Sequence, residues 1–238
     1  MIGRNPVIEA LRAGRQIDKI SVLQEPEGSL KMAAAMARDA GIPVHYVKRA
    51  ALDRMAGGLN HQGIIANVPA YEYADVADIL YLAKMRAEDP FIIVLDGIED
   101  PHNLGAVIRT AECAGAHGVI IPARRAAGIT ETVVKTSAGA VEYVPVAKVT
   151  NIAAAIEDLK KKNIWVAACD MDGEDYSRAD LSGPIALVIG NEGRGVSRIV
   201  REKCDFAVSI PLKGHIDSLN ASNAAAVLMY EIRRRRDG

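Results

Sequence analysis

The sequence predicts an α/β fold: a mainly parallel sheet in the carboxyl-terminal part of the chain, preceded by a smaller α/β unit. Three features predict it. FIIVLD at 91–96 is a continuous apolar run, the pattern of a strand covered on both faces. Shorter apolar runs at 119–121, 164–168, 186–189 and 206–210 alternate with stretches of helical periodicity, as βα units require. The chain has 238 residues, 50% of them hydrophobic, enough to bury the core of one large domain or two modest ones.

Taken in order, residues 2–70 read as a helix over 6–13, a strand over 19–23, a helix over 29–40, and strands over 44–47 and 64–67. Lys and Arg outnumber Asp and Glu there, which fits either a phosphate-facing module or an ordinary solvated surface. GGLNHQGI is a flexible turn before the last of these strands, and its His61 is expected to be structural or solvent-facing. Residues 71–89 read as a connector with a moderately helical run, closed by Pro90. The second unit, 90–238, opens on FIIVLD. GIEDPHN is a turn rich in Gly, Pro, Asp and Asn, and 104–114 has the spacing of a helix buried on one face. Further helices are expected over 131–138, 152–161 and 197–202, and a last one from about 220 to 236.

Three loops then fall at the carboxyl ends of strands, where parallel sheets bind ligands. The first, after Asp96, offers Asn103 and, along the following helix, Arg109. The second, after Ile189, is GNEGRGVS, with Glu192 and Arg194. The third, after Ile210, offers Ser218 and Asn220. Gly190, Gly193 and Gly195 remove three side chains from one turn, so main-chain groups can approach a flat or anionic ligand; an ordinary turn has the same look. Their order, G-x-x-G-x-G, is not the dinucleotide fingerprint, and no Lys-Ser or Lys-Thr completes a phosphate loop. Ser218 and Asn220 also suit helix N-caps, and Arg109 also suits the polar stripe of a surface helix.

Composition narrows the classes. Cys113, Cys169 and Cys204 are odd in number and far apart, with no C-x-x-C and no histidine at ligand spacing, so neither a disulfide framework nor a metal site is expected. No apolar run nears the roughly 20 residues of a membrane span and no secretory signal is present, so a soluble, cytoplasmic protein is expected. A formal net charge of −1 leaves nucleic-acid binding to a local patch.

EDPHNLGAVIRTAECAG, LVIGNEGRGVS and IPLKGHIDSLNASNAAAVLMYE, in that order, resemble the three motifs of the SpoU-class RNA ribose 2′-O-methyltransferases of the SPOUT superfamily, across residues 90–238. GRNPVIEAL and the size of the first unit resemble the bacterial large-subunit ribosomal RNA guanosine methyltransferases among them. The resemblance implies a carboxyl-terminal sheet with a deep trefoil knot and an amino-terminal RNA-binding domain (1–70) like a ribosomal-protein fold. It also implies a homodimer, ribosomal RNA as partner, and S-adenosylmethionine as cofactor without metal. It places cofactor contacts at Gly190, Asn191, Gly193, Gly195, Ile210, Leu212 and Leu219, and active-site roles at Asn103, Arg109, Glu192, Ser218 and Asn220. Leu212, Lys213, Ala221 and Asn223 depart from residues common in relatives, which bears on substrate-side detail more than on activity and leaves the catalytic positions intact. A tRNA methyltransferase, or an RNA-binding ribosome-assembly protein that has lost catalysis, are the competing readings. A nucleotide-cofactor oxidoreductase is disfavoured by the glycine order.

Overall fold

The computed structural model describes residues 1–237, and the chain forms two units: Met1–Glu72 with Ile129–Tyr143, and Tyr73–Gly128 with Val144–Gly238. The first unit begins with α1 (Arg4–Arg12), β1 (Lys19–Leu23), α2 (Ser29–Asp39), β2 (Val44–Val47), α3 (Arg49–Ala56) and β3 (Ile64–Asn67). Its sheet runs β2-β1-β3, with β1 parallel to β2 and antiparallel to β3. The helix α2 buries Leu30, Ala33, Ala34 and Ala37, the one-faced pattern of an amphipathic helix. The sequence missed α3, which is eight residues long, has no side-chain cap, and buries only Leu52 and Ala56. His61 is buried rather than solvent-facing: its Nδ1 accepts from the Gly63 N–H at 2.9 Å and its Nε2 lies 2.9 Å from Asp53 Oδ1. It pins the turn before β3.

The second unit starts with α4 (Val76–Met85) inside the expected connector, then β4 (Phe91–Asp96), α5 (Pro101–Cys113) and β5 (Gly118–Pro122). The next helix, α6 (Glu131–Thr136), and a 3-10 turn (Ala140–Glu142) fall within 90–238 in chain order, yet their contacts group them with the first unit. There Arg15 donates to Glu142 at 2.5 Å and the Tyr143 hydroxyl donates to Glu9 at 2.6 Å. Burial pushes the Glu142 carboxyl up and Arg15 opposes that shift.

The chain returns to the second unit through β6 (Val146–Val149), α7 (Ile152–Lys160), β7 (Trp165–Asp175), β8 (Ile185–Gly190), α8 (Arg198–Lys203), β9 (Phe206–Ser209) and α9 (Ala221–Arg236). The six strands are ordered β6-β5-β4-β8-β7-β9 and every pairing is parallel, which bears out the predicted α/β class. The central strands β4 and β8 are buried along nearly their whole length, as their unbroken apolar sequences require. Among the described residues no helix is long and apolar enough to cross a membrane.

Three expectations need correction here. The turn GIEDPHN is shorter than its composition implies: Asp100 caps α5 by accepting from the His102 N–H at 2.8 Å, and Pro101 occupies the first helical position, so Asn103 is already helical. The short strand β6 went unread, its four residues being interrupted by Lys148. The strand β7 runs seven residues beyond its expected end at 168. Its register against β9 shifts between Cys169 and Glu174, and Gly173 sits so close to β9 that a Cβ there would lie 2.6 Å from the Ala207 carbonyl carbon.

Candidate active site

The glycine loop is built by close approach of backbone to backbone. The strand β8 ends at Gly190, paired with Asp96 of β4. Asn191 and Gly195 then exchange N–H···O bonds of 3.1 and 2.8 Å, folding the loop back on the strand end. A Cβ on Gly190 would lie 2.0 Å from the Gly195 carbonyl carbon and 2.2 Å from the Val196 nitrogen, so only glycine fits. Gly195 is required for a different reason: its φ of +64° is left-handed, although the space around it is open. The Asn191 amide fixes the loop to its neighbour, donating to the Gly97 carbonyl at 3.0 Å while its oxygen accepts from the Gly193 N–H at 3.0 Å. The Ser197 N–H donates to Asp96 at 2.7 Å, tying the far end of the loop to β4.

Three polar side chains, from the loop after β8 and the starts of α5 and α9, converge beside it. Asn103, buried in the first turn of α5, donates to Glu192 Oε1 at 3.0 Å. Asn220 donates to Asn103 Oδ1 at 3.0 Å and to Glu192 Oε1, which also accepts from the Ala221 N–H at 3.3 Å. The Asn220 oxygen accepts from Ser222 N–H at 2.9 Å and Asn223 N–H at 3.3 Å, which starts α9. Capping and membership of the cluster are thus performed by opposite ends of one amide. Ser218 is not the cap; its hydroxyl lies 3.5 Å from the Asp217 carboxylate.

A cavity of about 360 Å³ opens against this loop. Gly190, Asn191, Glu192, Gly193, Gly195, Ile210, Leu212, Ser218 and Leu219 line it, while Asn103 and Asn220 stand behind Glu192. Arg109 is not brought in: it is exposed on α5, outside the lining, and makes no ion pair among the described residues. The sequence reading missed Cys169, Asp170 and Met171, which form another wall because β7 continues past its expected end. Burial pushes the Cys169 thiol up to about 11, so it lines the cavity as a neutral thiol rather than a nucleophile. No cluster of three or more metal-ligating side chains occurs among the described residues.

A parallel sheet with a ligand-sized cavity at its strand ends, closed by a glycine loop and flanked by an amide–carboxylate cluster, defines a small-molecule-binding α/β enzyme domain. The family model for the SpoU rRNA Methylase family matches residues 90–230, and that for RNA 2′-O ribose methyltransferase substrate binding matches residues 1–74. The chain belongs to the SpoU rRNA methylase family. It is 47% identical over 239 residues to YacO of Bacillus subtilis (strain 168), named for the TrmH family of tRNA/rRNA methyltransferases, covering 100% of this chain and 96% of that protein. It resembles the crystal structure of the SpoU methyltransferase AviRb from Streptomyces viridochromogenes in complex with AdoMet (S-adenosylmethionine), with a TM-score of 0.83 and 27% identity, over 100% of this chain and 90% of that one. An AdoMet-bound rRNA methyltransferase from Sinorhizobium meliloti matches with a TM-score of 0.75 and 27% identity, over 98% of this chain and 86% of that one.

Proposed function

We propose that the protein transfers a methyl group from S-adenosylmethionine to the ribose 2′-hydroxyl of a guanosine in large-subunit ribosomal RNA, as a cytoplasmic homodimer with a knotted catalytic domain. The amino-terminal domain grips the RNA. The observation that carries this reading is the cavity closed by the glycine loop, with the Asn103–Glu192–Asn220 cluster on its flank. The residues present fit the cofactor. The volume lies in the roughly 300–1,000 Å³ range of small-molecule sites. Ile189, Val196, Ile210, Leu212 and Leu219 offer apolar walls, and the main chain of Gly190 to Gly195 offers polar groups with no side chain in the way at the glycines. When bound, S-adenosylmethionine supplies an electrophilic methyl group on a sulfonium centre, so the chemistry asks only for alignment and the loss of one proton.

The chain's own residues supply that alignment. Glu192, held by three N–H groups, fixes the loop after β8 to the starts of α5 and α9, so the elements framing the cavity share one polar anchor. Ser218 and the main chain of Ile210 and Leu219 position the ligands, and Arg109 orients the ribose and its phosphate. Arg109 acts by stabilising developing negative charge with its guanidinium donors while the proton leaves to solvent. Its place outside its own chain's cavity fits a homodimer in which Arg109 of one copy serves the cavity of the other. The tRNA reading is kept alive by the relative named for both RNAs. Incubation with methyl-labelled S-adenosylmethionine and equal masses of in-vitro-transcribed large-subunit ribosomal RNA and tRNA separates them. Label confined to ribosomal RNA, recovered as 2′-O-methylguanosine, is expected; label confined to tRNA overturns the substrate assignment.

A further inference from the structure

We propose that Arg124 and Arg125 form a phosphate subsite that holds the RNA backbone beside the target nucleotide. The inference rests on the RNA-methyltransferase reading above and adds residues that lie in none of the three sequence motifs. Both arginines sit in the loop that leaves β5 at the carboxyl end of the sheet, the end that carries the cavity. The Ala123 N–H donates to the Val149 carbonyl and the Ala127 N–H to the Ile98 carbonyl, each at 2.8 Å, so the loop is anchored on both sides. The Ile98 turn is the one that Asn191 grips through Gly97. Because β4 separates β5 from β8, the arginine loop and the glycine loop leave strands about 10 Å apart.

Nothing within the fold uses these two side chains. Both are exposed, and neither makes a hydrogen bond or ion pair among the described residues. Arg125 is also held at a φ of +55°, a left-handed conformation that Gly or Asn adopts at less cost. The carboxyl-terminal arginines behave differently. Arg233 pairs with Asp237, Arg234 and Arg235 with Glu231, and Arg236 donates to the carbonyls of Asp89, Pro90 and Gly183. On the next strand, Lys148 adds a third cation, its Nζ 3.7 Å over the Tyr73 ring and near Gly128 in the same loop. The acidic groups on the adjoining turn are Glu99 and Asp100, and the Asp100 carboxylate is committed to capping α5. Two adjacent, unpaired guanidiniums present planar forks that match phosphate oxygens, and RNA-binding proteins position themselves largely through such backbone contacts.

The test compares wild type with the Arg124→Ala/Arg125→Ala and Arg124→Lys/Arg125→Lys double variants. Each is assayed for binding to in-vitro-transcribed large-subunit ribosomal RNA across a salt series, for steady-state methylation, and for S-adenosylmethionine affinity by calorimetry. The alanine pair is expected to bind RNA about 10-fold or more weakly. Its plot of log affinity against log salt should flatten by roughly 1.5, as loss of two phosphate contacts requires. Its KM for RNA should rise more than its kcat falls, with cofactor affinity unchanged. The lysine pair should keep most of the salt slope while binding less tightly than wild type. A wild type that methylates RNA, beside an alanine pair of equal RNA affinity and equal salt slope, overturns the subsite alone. A wild type that binds S-adenosylmethionine but methylates no RNA overturns the functional reading, and the subsite with it.

Discussion

Gly190 and Gly195 show how two glycines of one motif answer to different constraints. A methyl group on Gly190 would overlap the backbone of Gly195 and Val196, atoms that cannot step aside without opening the loop. Gly190→Ala is therefore expected to cost about 3 kcal/mol or more and to abolish S-adenosylmethionine binding. Gly195→Ala meets open space and should cost only about 1–2 kcal/mol, from its left-handed φ. Urea denaturation and calorimetry on both variants check the contrast; equal losses would mean that the loop is not closed by this contact. Arg109 makes a sharper case. Arg109→Ala should leave the fold and cofactor affinity nearly unchanged while slowing methylation about 100-fold. If it serves the partner's cavity, mixed dimers of Arg109→Ala with Asn103→Ala, each inactive alone, should regain activity at one site. Mixed dimers as inactive as their parents would place Arg109 in its own chain's site or outside catalysis. The composition of the glycine loop and the cap-forming Asn220 were legible in the sequence because each states a local backbone need. The wall made by Cys169, Asp170 and Met171 was not, since those residues join the cavity only through a bulged strand whose partner lies more than 30 positions away.

Strands in this chain were easier to read than the turns between them. The runs at 19–23, 44–47, 64–67 and 91–96 match β1, β2, β3 and β4; burial of apolar side chains underlies β1, β3 and β4, whereas β2, with His45 and Tyr46 exposed, is held by its pairing to β1. The start of α5 was misplaced because Asp100 and Pro101 look like turn residues and are also the favoured first residues of a helix. The entry to β4 carries a feature no pattern reveals. His117 is fully buried; its Nδ1 accepts from the Phe91 N–H at 3.0 Å and its Nε2 meets Glu88 at 3.0 Å. Burial pulls its pKa below the ordinary 6.5, with Glu88 opposing, and a proton on Nδ1 would face the Phe91 N–H. The native state therefore holds the neutral ring, and the unfolded chain takes up the proton first as pH falls. The stability this group contributes is complete above about pH 6.5 and is lost below it, at no more than about 1.4 kcal/mol per pH unit. His117→Gln should flatten the fall in urea midpoint between pH 7.5 and 5.5; an unaltered slope would assign that acid sensitivity to other groups.

Chain order and spatial grouping part company between 129 and 143, the segment that contributes Val133, Val134 and Val141 to the core of the first unit. Sequence reading assigned it to the second domain because periodicity carries no information about distant partners. Deleting residues 1–72 should leave those valines uncovered, so the shortened chain is expected to aggregate on gel filtration unless 129–143 is also replaced by a short polar loop; a monodisperse shortened chain would contradict the grouping. With a formal net charge of −1, RNA affinity must come from local cations rather than overall attraction. The central claim is that the glycine-loop cavity and its Asn103–Glu192–Asn220 anchor serve transfer to a ribose. Its most direct test is mass spectrometry of nucleosides from RNA methylated in vitro by wild type and by Glu192→Ala. The account predicts a methyl group on the ribose 2′-oxygen with wild type and its near disappearance with Glu192→Ala. A methyl group found on the base, or full ribose methylation without Glu192, would contradict it.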